Sequence, residues 1–373
     1  MKIVLIGPVY PYKGGISHYT GMMYRALKKN NDVSMISFKL QYPKLLFKKE
    51  QRDYENDTFK IEGTDYLINT ANPLSWLASA KKINALKPDL VIIQWWHPYF
   101  APCYWSIVRH LKKAKVLFLC HNVFPHERFP MDKWLSRNVL RQGDSFIVHS
   151  EQDAIDLQTI IADAKLEKTV LPTFNAFKFE NMSCSEAREK LGIGMDKKVI
   201  LFFGLVREYK GLKYLISAMP LLRKKFGELI LLVAGDFVDD KEEYLKLIKD
   251  NNLGDIITIY DGYTPDHEVE KFFAACDLVA LPYISATQSG IVQIAYGFNK
   301  PVVVTNVGGL PEVVLNGKTG YVVEPGNSLA IAEAVQKFFE ENRAEEFAHN
   351  VKGEEYKYSW DRMSEVVERL WNK

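Results

Sequence analysis

Short apolar runs, each closed by a glycine or a polar turn and followed by helical spacing, recur along this 373-residue chain. They occupy residues 2–6, 32–38, 90–94, 115–120, 145–149 and 168–171 in the first half. In the second half they occupy 199–203, 228–234, 256–260, 278–282 and 302–305. Runs of this length bounded by turn residues read as strands. Their alternation with helical stretches calls for parallel sheets covered by helices. The length suits two such domains, and residues 172–185, PTFNAFKFENMSCS, show no period and read as the connection between them. The expected architecture is therefore α/β, with two doubly wound Rossmann-like halves facing a cleft. Their expected extents are 1–178 and 179–355, with a terminal helix within 356–373.

In open parallel sheets ligands bind beyond the carboxyl ends of the strands, so the turns after each strand are where chemistry is to be sought. Residues 199–215, VILFFGLVREYKGLKYL, give a strand, a turn and a helix, and the turn carries Arg207 and Lys210. Two cations beside a helix amino end suit an anion such as a diphosphate. Gly211 then lets the backbone approach what the cations hold. The plain alternative is a solvated basic turn. A second such turn follows residues 2–6, where Gly14 and Gly15 precede Ser17, an expected N-cap. Its glycines lack the GxGxxG spacing of a dinucleotide fold. They serve either a phosphate or the turn itself. A third, in ISATQSGIVQIAYGF, puts Gln288, Ser289 and Gly290 at a helix start, where Ser289 can cap and the Gly290 N–H stays accessible. Asn316 and Gly317, by contrast, read as a hairpin turn and not as a phosphate loop.

The strand at 90–94 runs into WWHPYF and the strand at 115–120 into HNVFPH. Trp95, Trp96 and His97, then His121 and Asn122, are groups suited to a sugar. Most tryptophans are simply core. A histidine at a strand's carboxyl end, as His121 is, reaches a ligand site more directly.

Charge divides the chain. Residues 1–180 hold 25 Lys and Arg against 17 Asp and Glu, whereas 181–373 hold 23 against 29. A basic half without a nucleic-acid motif points to an anionic membrane surface or phosphorylated substrates rather than to nucleic acid. Lys39, Lys44, Lys48, Lys49 and Arg52 interleave with Tyr42, Leu45, Leu46 and Phe47, as an interfacial contact requires. A solvated loop is the other reading. No apolar stretch approaches the roughly 20 residues of a membrane span. The opening MKIVLIGPVYP is too short for a signal peptide. Cys103, Cys120, Cys184 and Cys276 lie far apart, which indicates neither a zinc site nor a disulfide framework. The expected location is cytoplasmic, peripheral at the inner face of the membrane.

Taken together, GGISHY near the amino terminus, His121 after a central strand, GLVREYKG, SGIVQIAYGFNKPVVVTNVGGLPEVV and SWDRMSEVVERLW resemble the glycosyltransferases of family four, which have the GT-B fold. The resemblance covers essentially the whole chain. It implies sugar transfer from a nucleotide-diphosphate donor with retention of configuration, no metal ion and no cofactor beyond that co-substrate. It also implies a glycan or lipid-linked acceptor. By it, Arg207 and Lys210 hold the diphosphate, Gly14 and Gly15 approach it, His121 stands near the transferred sugar, and Tyr263 lies beside the base. The helix at about 361–371 resembles the one that crosses back onto the first domain.

One departure stands out. Most of that family carries two glutamates seven residues apart before the KPVVV strand, where this chain has only Thr287, Gln288, Ser289 and Gln293 as polar groups. A glutamine can hydrogen-bond a ribose but offers no charge to an oxocarbenium-like transition state. A non-catalytic nucleotide-sugar-binding protein and a nucleotide-sugar epimerase are the competing functions. The epimerase is disfavoured because its chemistry needs general acids and bases.

Overall fold

The computed structural model describes all residues except 48, 49, 55, 56, 126, 127, 239 and 373. It divides into two units, Met1–Val170 with Ser359–Lys373, and Leu171–Tyr358.

The first unit runs β1 (Lys2–Ile6), α1 (Gly15–Lys28), β2 (Asp32–Leu40), β3 (Asp65–Asn69), α2 (Pro73–Leu86), β4 (Leu90–Trp95), α3 (Ala101–Arg109), β5 (Lys115–Cys120), α4 (Asp132–Leu140), β6 (Ser145–Val148), α5 (Glu151–Ile160) and β7 (Leu166–Lys168). Its seven strands are parallel in the order β3-β2-β1-β4-β5-β6-β7. Their apolar side chains, Val4, Ile36, Ile93, Phe118 and Val148 among them, pack with the helices into one core. Winding reverses between β1 and β4, which pair directly from Ile3 opposite Leu90 to Ile6 opposite Ile93.

The second unit runs α6 (Cys184–Leu191), β8 (Lys198–Phe203), α7 (Leu212–Lys225), β9 (Leu229–Gly235), α8 (Lys241–Asp250), β10 (Ile257–Asp261), α9 (Asp266–Ala275), β11 (Leu278–Leu281), α10 (Gly290–Gly297), β12 (Val302–Thr305), α11 (Leu310–Val313), β13 (Gly320–Val323), α12 (Ser328–Glu340) and α13 (Ala344–Gly353). The parallel order is β10-β9-β8-β11-β12-β13, and here the switch falls between β8 and β11. Such switch points open a crevice beyond the strand ends, and the basic turn and the start of α10 flank this one.

The last helix, α14 (Trp360–Asn372), belongs to the first unit. Met363, Val366, Val367 and Leu370 form its buried stripe. Asp361 pairs with Lys29 and Arg369 with Glu167, each at 2.6 Å.

Four expectations change. The division falls at Val170 rather than after residue 178, because the connection packs with the second unit. Glu270, itself buried, accepts the N–H groups of Phe179, Glu180 and Met182 at 2.7–2.8 Å. Ser17 is not the N-cap of α1: Gly14 is, at φ 104°, a value open to glycine. No hairpin forms around Gly317, because Leu310–Val313 is a helical turn and β13 pairs in parallel with β12. The edge strand β3 was not anticipated.

Candidate functional site

In the second unit, β8 delivers the basic turn and β11 delivers the loop into α10. Residues 208–210 form a single 3-10 turn with Arg207 at its amino end. The two loops are tied together. A Cβ on Gly211, which has φ 69°, would fall on the Pro282 carbonyl oxygen, and the Ile284 N–H donates to the Tyr209 carbonyl at 2.7 Å. Gly211 thus serves a close backbone approach within the protein, not the expected approach to a ligand.

This closure sets Lys210 over Tyr283, with Nζ 3.9 Å from the ring centroid. The ring leaves the ammonium charge unneutralised, and the one acid of the turn, Glu208, pairs with Lys213 at 3.2 Å. The Tyr283 hydroxyl is 3.3 Å from Ser289 Oγ. Ser289 occupies the N-cap position of α10 but makes no capping hydrogen bond, so the expected cap is absent because its hydroxyl lies beside Tyr283. Ser289 therefore does not cap the first N–H groups of α10. A cation and a helix amino end can together hold a polyanion.

Gln288 lies against the turn after β12, where a Cβ on Gly309 would strike its amide, and the Gly309 N–H donates to the Thr287 carbonyl at 2.8 Å. Gln293 corrects an expectation. It is fully buried and neither side-chain polar atom has a partner, because the fourth residue of α10 turns into the interior. It does not reach a ligand in this conformation. Tyr263 follows β10, two strands from β8, and is 41% exposed with its hydroxyl 3.3 Å from Asp266 Oδ1.

In the first unit, β4 and β5 carry the aromatic and histidine groups. The His121 N–H donates to the Trp95 carbonyl at 2.8 Å, continuing the sheet one step past β5. Asp153 accepts the Val123 N–H at 2.9 Å and so holds the following loop. His121 Nε2 lies 2.7 Å from Oε1 of the buried Gln94. The Gln94 amide nitrogen faces Met23 Sδ at 3.5 Å, so its oxygen is the atom turned to the ring. His121 therefore donates through Nε2 and keeps Nδ1 as an acceptor. Tyr19 packs edge-on to His121 at 4.7 Å and to Trp360 at 4.9 Å, and His149 is 5.8 Å from His121. Burial, then the neighbouring His149, hold His121 well below the usual histidine range. Burial brings His149 to about 4, opposed by its bond to the Thr169 carbonyl. Both rings are neutral at pH 7.

Trp96 and His97 have structural partners. Trp96 packs 4.2 Å from Phe100 and donates to the Tyr42 hydroxyl at 3.2 Å. His97 Nδ1 accepts the Tyr99 N–H at 3.1 Å, and its ring stacks on Phe129. Gly14 and Gly15 are open, since a Cβ on either would meet nothing within 4 Å. Two groups were missed in the sequence, Gln94 and Tyr283. An amide closing the apolar run LVIIQ must find a partner when buried, and that signal was available for Gln94. Tyr283 ends a similar run, and nothing local distinguishes it from core.

Residues 184–357 match the family model of glycosyl transferases group 1. An uncharacterized glycosyltransferase of Methanocaldococcus jannaschii is 29% identical over 211 residues, 55% of this chain and 53% of its own. The lipopolysaccharide 1,2-N-acetylglucosaminetransferase of Salmonella typhimurium is 29% identical over 192 residues, 48% and 50% of the two chains. The chain spans about half the length of the curated relatives it matches. Among solved structures, Anabaena HepE in complex with UDP superimposes with a TM-score of 0.76 at 18% identity over 100% of both chains. That likeness gives the fold, GT-B.

Proposed function

We propose that this protein is a glycosyltransferase, a reading supported by the match of its residues 184–357 to the glycosyl transferases group 1 model. In this reading it moves a sugar from a nucleotide-diphosphate donor, with retention, to a glycan or lipid-linked acceptor in cell-surface polysaccharide or glycolipid synthesis. The observation that carries the reading is the placement of Lys210 over Tyr283 beside the start of α10, which Ser289 does not cap, at the switch point of the second sheet. Arg207, Lys210 and the Gly290 N–H bind the diphosphate, and Tyr263 and Gln288 flank the nucleoside. His121, with Nδ1 free to accept a sugar hydroxyl, and the Gly14–Gly15 loop serve the transferred group. Trp96 and His97 border the acceptor.

No cofactor or resident metal takes part in this scheme. Arg207, Lys210 and helix amino ends neutralise the leaving diphosphate. The acceptor acts at the cytoplasmic face of the membrane, an idea supported by the basic first half and by Leu45 and Leu46, which are 88% and 62% exposed. Lys48 and Lys49 of that loop lie outside the described residues.

The absence of a carboxylate from 287–293 favours a second reading, a nucleotide-sugar-binding protein that does not transfer. Incubation with a panel of uridine and guanosine diphosphate sugars, first UDP-glucose, separates the two. Slow release of nucleoside diphosphate that quickens with added glycan or lipid-linked acceptor supports transfer. Tight binding without turnover supports the second reading.

A further inference from the structure

A cavity of about 970 Å³ opens on the first unit at the amino ends of β4 and β5. His121 follows the opposite end of β5, a six-residue strand, so the cavity lies roughly 20 Å away along the sheet. Its walls carry Lys81, Lys87, Lys112 and Lys113, with His110 and the Trp371 indole. The loop is pinned rather than loose. Asn84 of α2 donates to the His110 carbonyl at 2.8 Å and accepts the Lys112 N–H at 3.0 Å.

None of the four ammonium groups has a carboxylate partner among the described residues. Asp89, the one acid of the lining, accepts the Lys2 N–H at 2.7 Å. The carboxyl ends of α2 and α3 point here and contribute roughly half a negative charge each. Even with these and Asp89 counted against the lysines, positive charge remains in excess. On α2, Leu74 and Leu77 stand 74% and 43% exposed, three residues apart and on the face that continues to Lys81.

We propose that this cavity binds the phosphate group of an anionic ligand. The exposed leucines beside it favour a phospholipid headgroup as the source, free phosphate being the other source of the same chemistry. The proposal does not rest on the transferase reading.

The test sediments the full chain with phosphatidylcholine vesicles, with and without phosphatidylglycerol, and titrates inorganic phosphate and pyrophosphate by calorimetry. The variants are Lys81→Glu/Lys112→Glu/Lys113→Glu and, on the other basic loop, Lys39→Glu/Lys44→Glu. All of these lysines lie at the surface, and circular dichroism with the unfolding midpoint checks that each variant is folded. A lipid source predicts binding only to phosphatidylglycerol vesicles, weakened by added salt and reduced roughly 100-fold in the triple variant. A soluble source predicts phosphate or pyrophosphate binding that the triple variant loses, with vesicle binding unchanged. Equal behaviour of wild type and triple variant toward every probe overturns the proposal. So does a loss confined to the Lys39→Glu/Lys44→Glu variant.

Discussion

His121 Nε2 stands 2.7 Å from Gln94 Oε1, a pairing of two adjacent strand ends that fixes which nitrogen of the ring carries the proton. Gln94→Glu would set a carboxylate against the imidazole and raise its pKa by charge. Gln94→Leu would leave Nε2–H without an acceptor, at a cost of about 1–3 kcal/mol. If it is the proposed transferase, the wild-type protein should show no acidic limb from His121 near neutrality. In Gln94→Glu such a limb should move up toward pH 7 and kcat should fall while donor affinity holds. Identical pH profiles would remove Gln94 from a positioning role.

Gly7 leaves space for that pair, since a Cβ there would lie 2.6 Å from Gln94 Cγ. Gly7→Ala should displace Gln94 from His121, lowering the proposed transfer as Gln94→Glu does, and lower stability by about 1–3 kcal/mol, the usual cost of overpacking. Chemical denaturation and steady-state kinetics measure the two effects separately.

Glycines of the two candidate loops should part company on thermal unfolding. Gly211→Ala forces a side chain at φ 69° onto the Pro282 carbonyl and should lower the midpoint and abolish nucleotide binding together. Gly15→Ala meets nothing within 4 Å, so its midpoint should stay near wild type and any loss of activity reports on the ligand. A large stability loss in Gly15→Ala would show that the loop is needed for folding alone.

Acid should destabilise the first unit before it destabilises isolated surface charges. His149 is held near 4 in the folded state, below its unfolded value of about 6.5. The unfolded chain therefore binds the proton first, and the contribution is complete above pH 6.5 and lost as pH falls toward 4. The loss is up to about 1.4 kcal/mol per pH unit across that window. His121 acts in the same sense. His149→Phe should flatten the decline when urea unfolding is followed from pH 7.5 to about 4.5, a range spanning most of that window.

Both sheets were legible because their central strands are continuous apolar runs closed by turn residues, the pattern a strand buried on both faces requires. The edge was not. β3, DYLIN, has one buried residue and too little periodicity to declare itself. Arg207, Lys210, Ser289 and Gly290 could be placed at one sheet end from their turns, but the way they are joined could not. Gly211 meeting Pro282 and Lys210 lying over Tyr283 are contacts 71 and 73 positions apart in sequence. Local pattern carries no information about such pairs. Gln293 shows the same limit from the other side: a polar residue near a helix start looked available, and only the packing of α10 buries it.

Calorimetric titration of UDP and GDP into wild type, Arg207→Ala and Lys210→Ala, with and without EDTA, tests the donor site most directly. One of the two nucleotides should bind wild type equally well in chelator, and either substitution should weaken it by roughly 1.5–3 kcal/mol, the range for hydrogen bonds to charged groups. Unchanged affinity in both variants, or binding that EDTA abolishes and magnesium restores, would contradict a diphosphate held by Arg207, Lys210 and the start of α10.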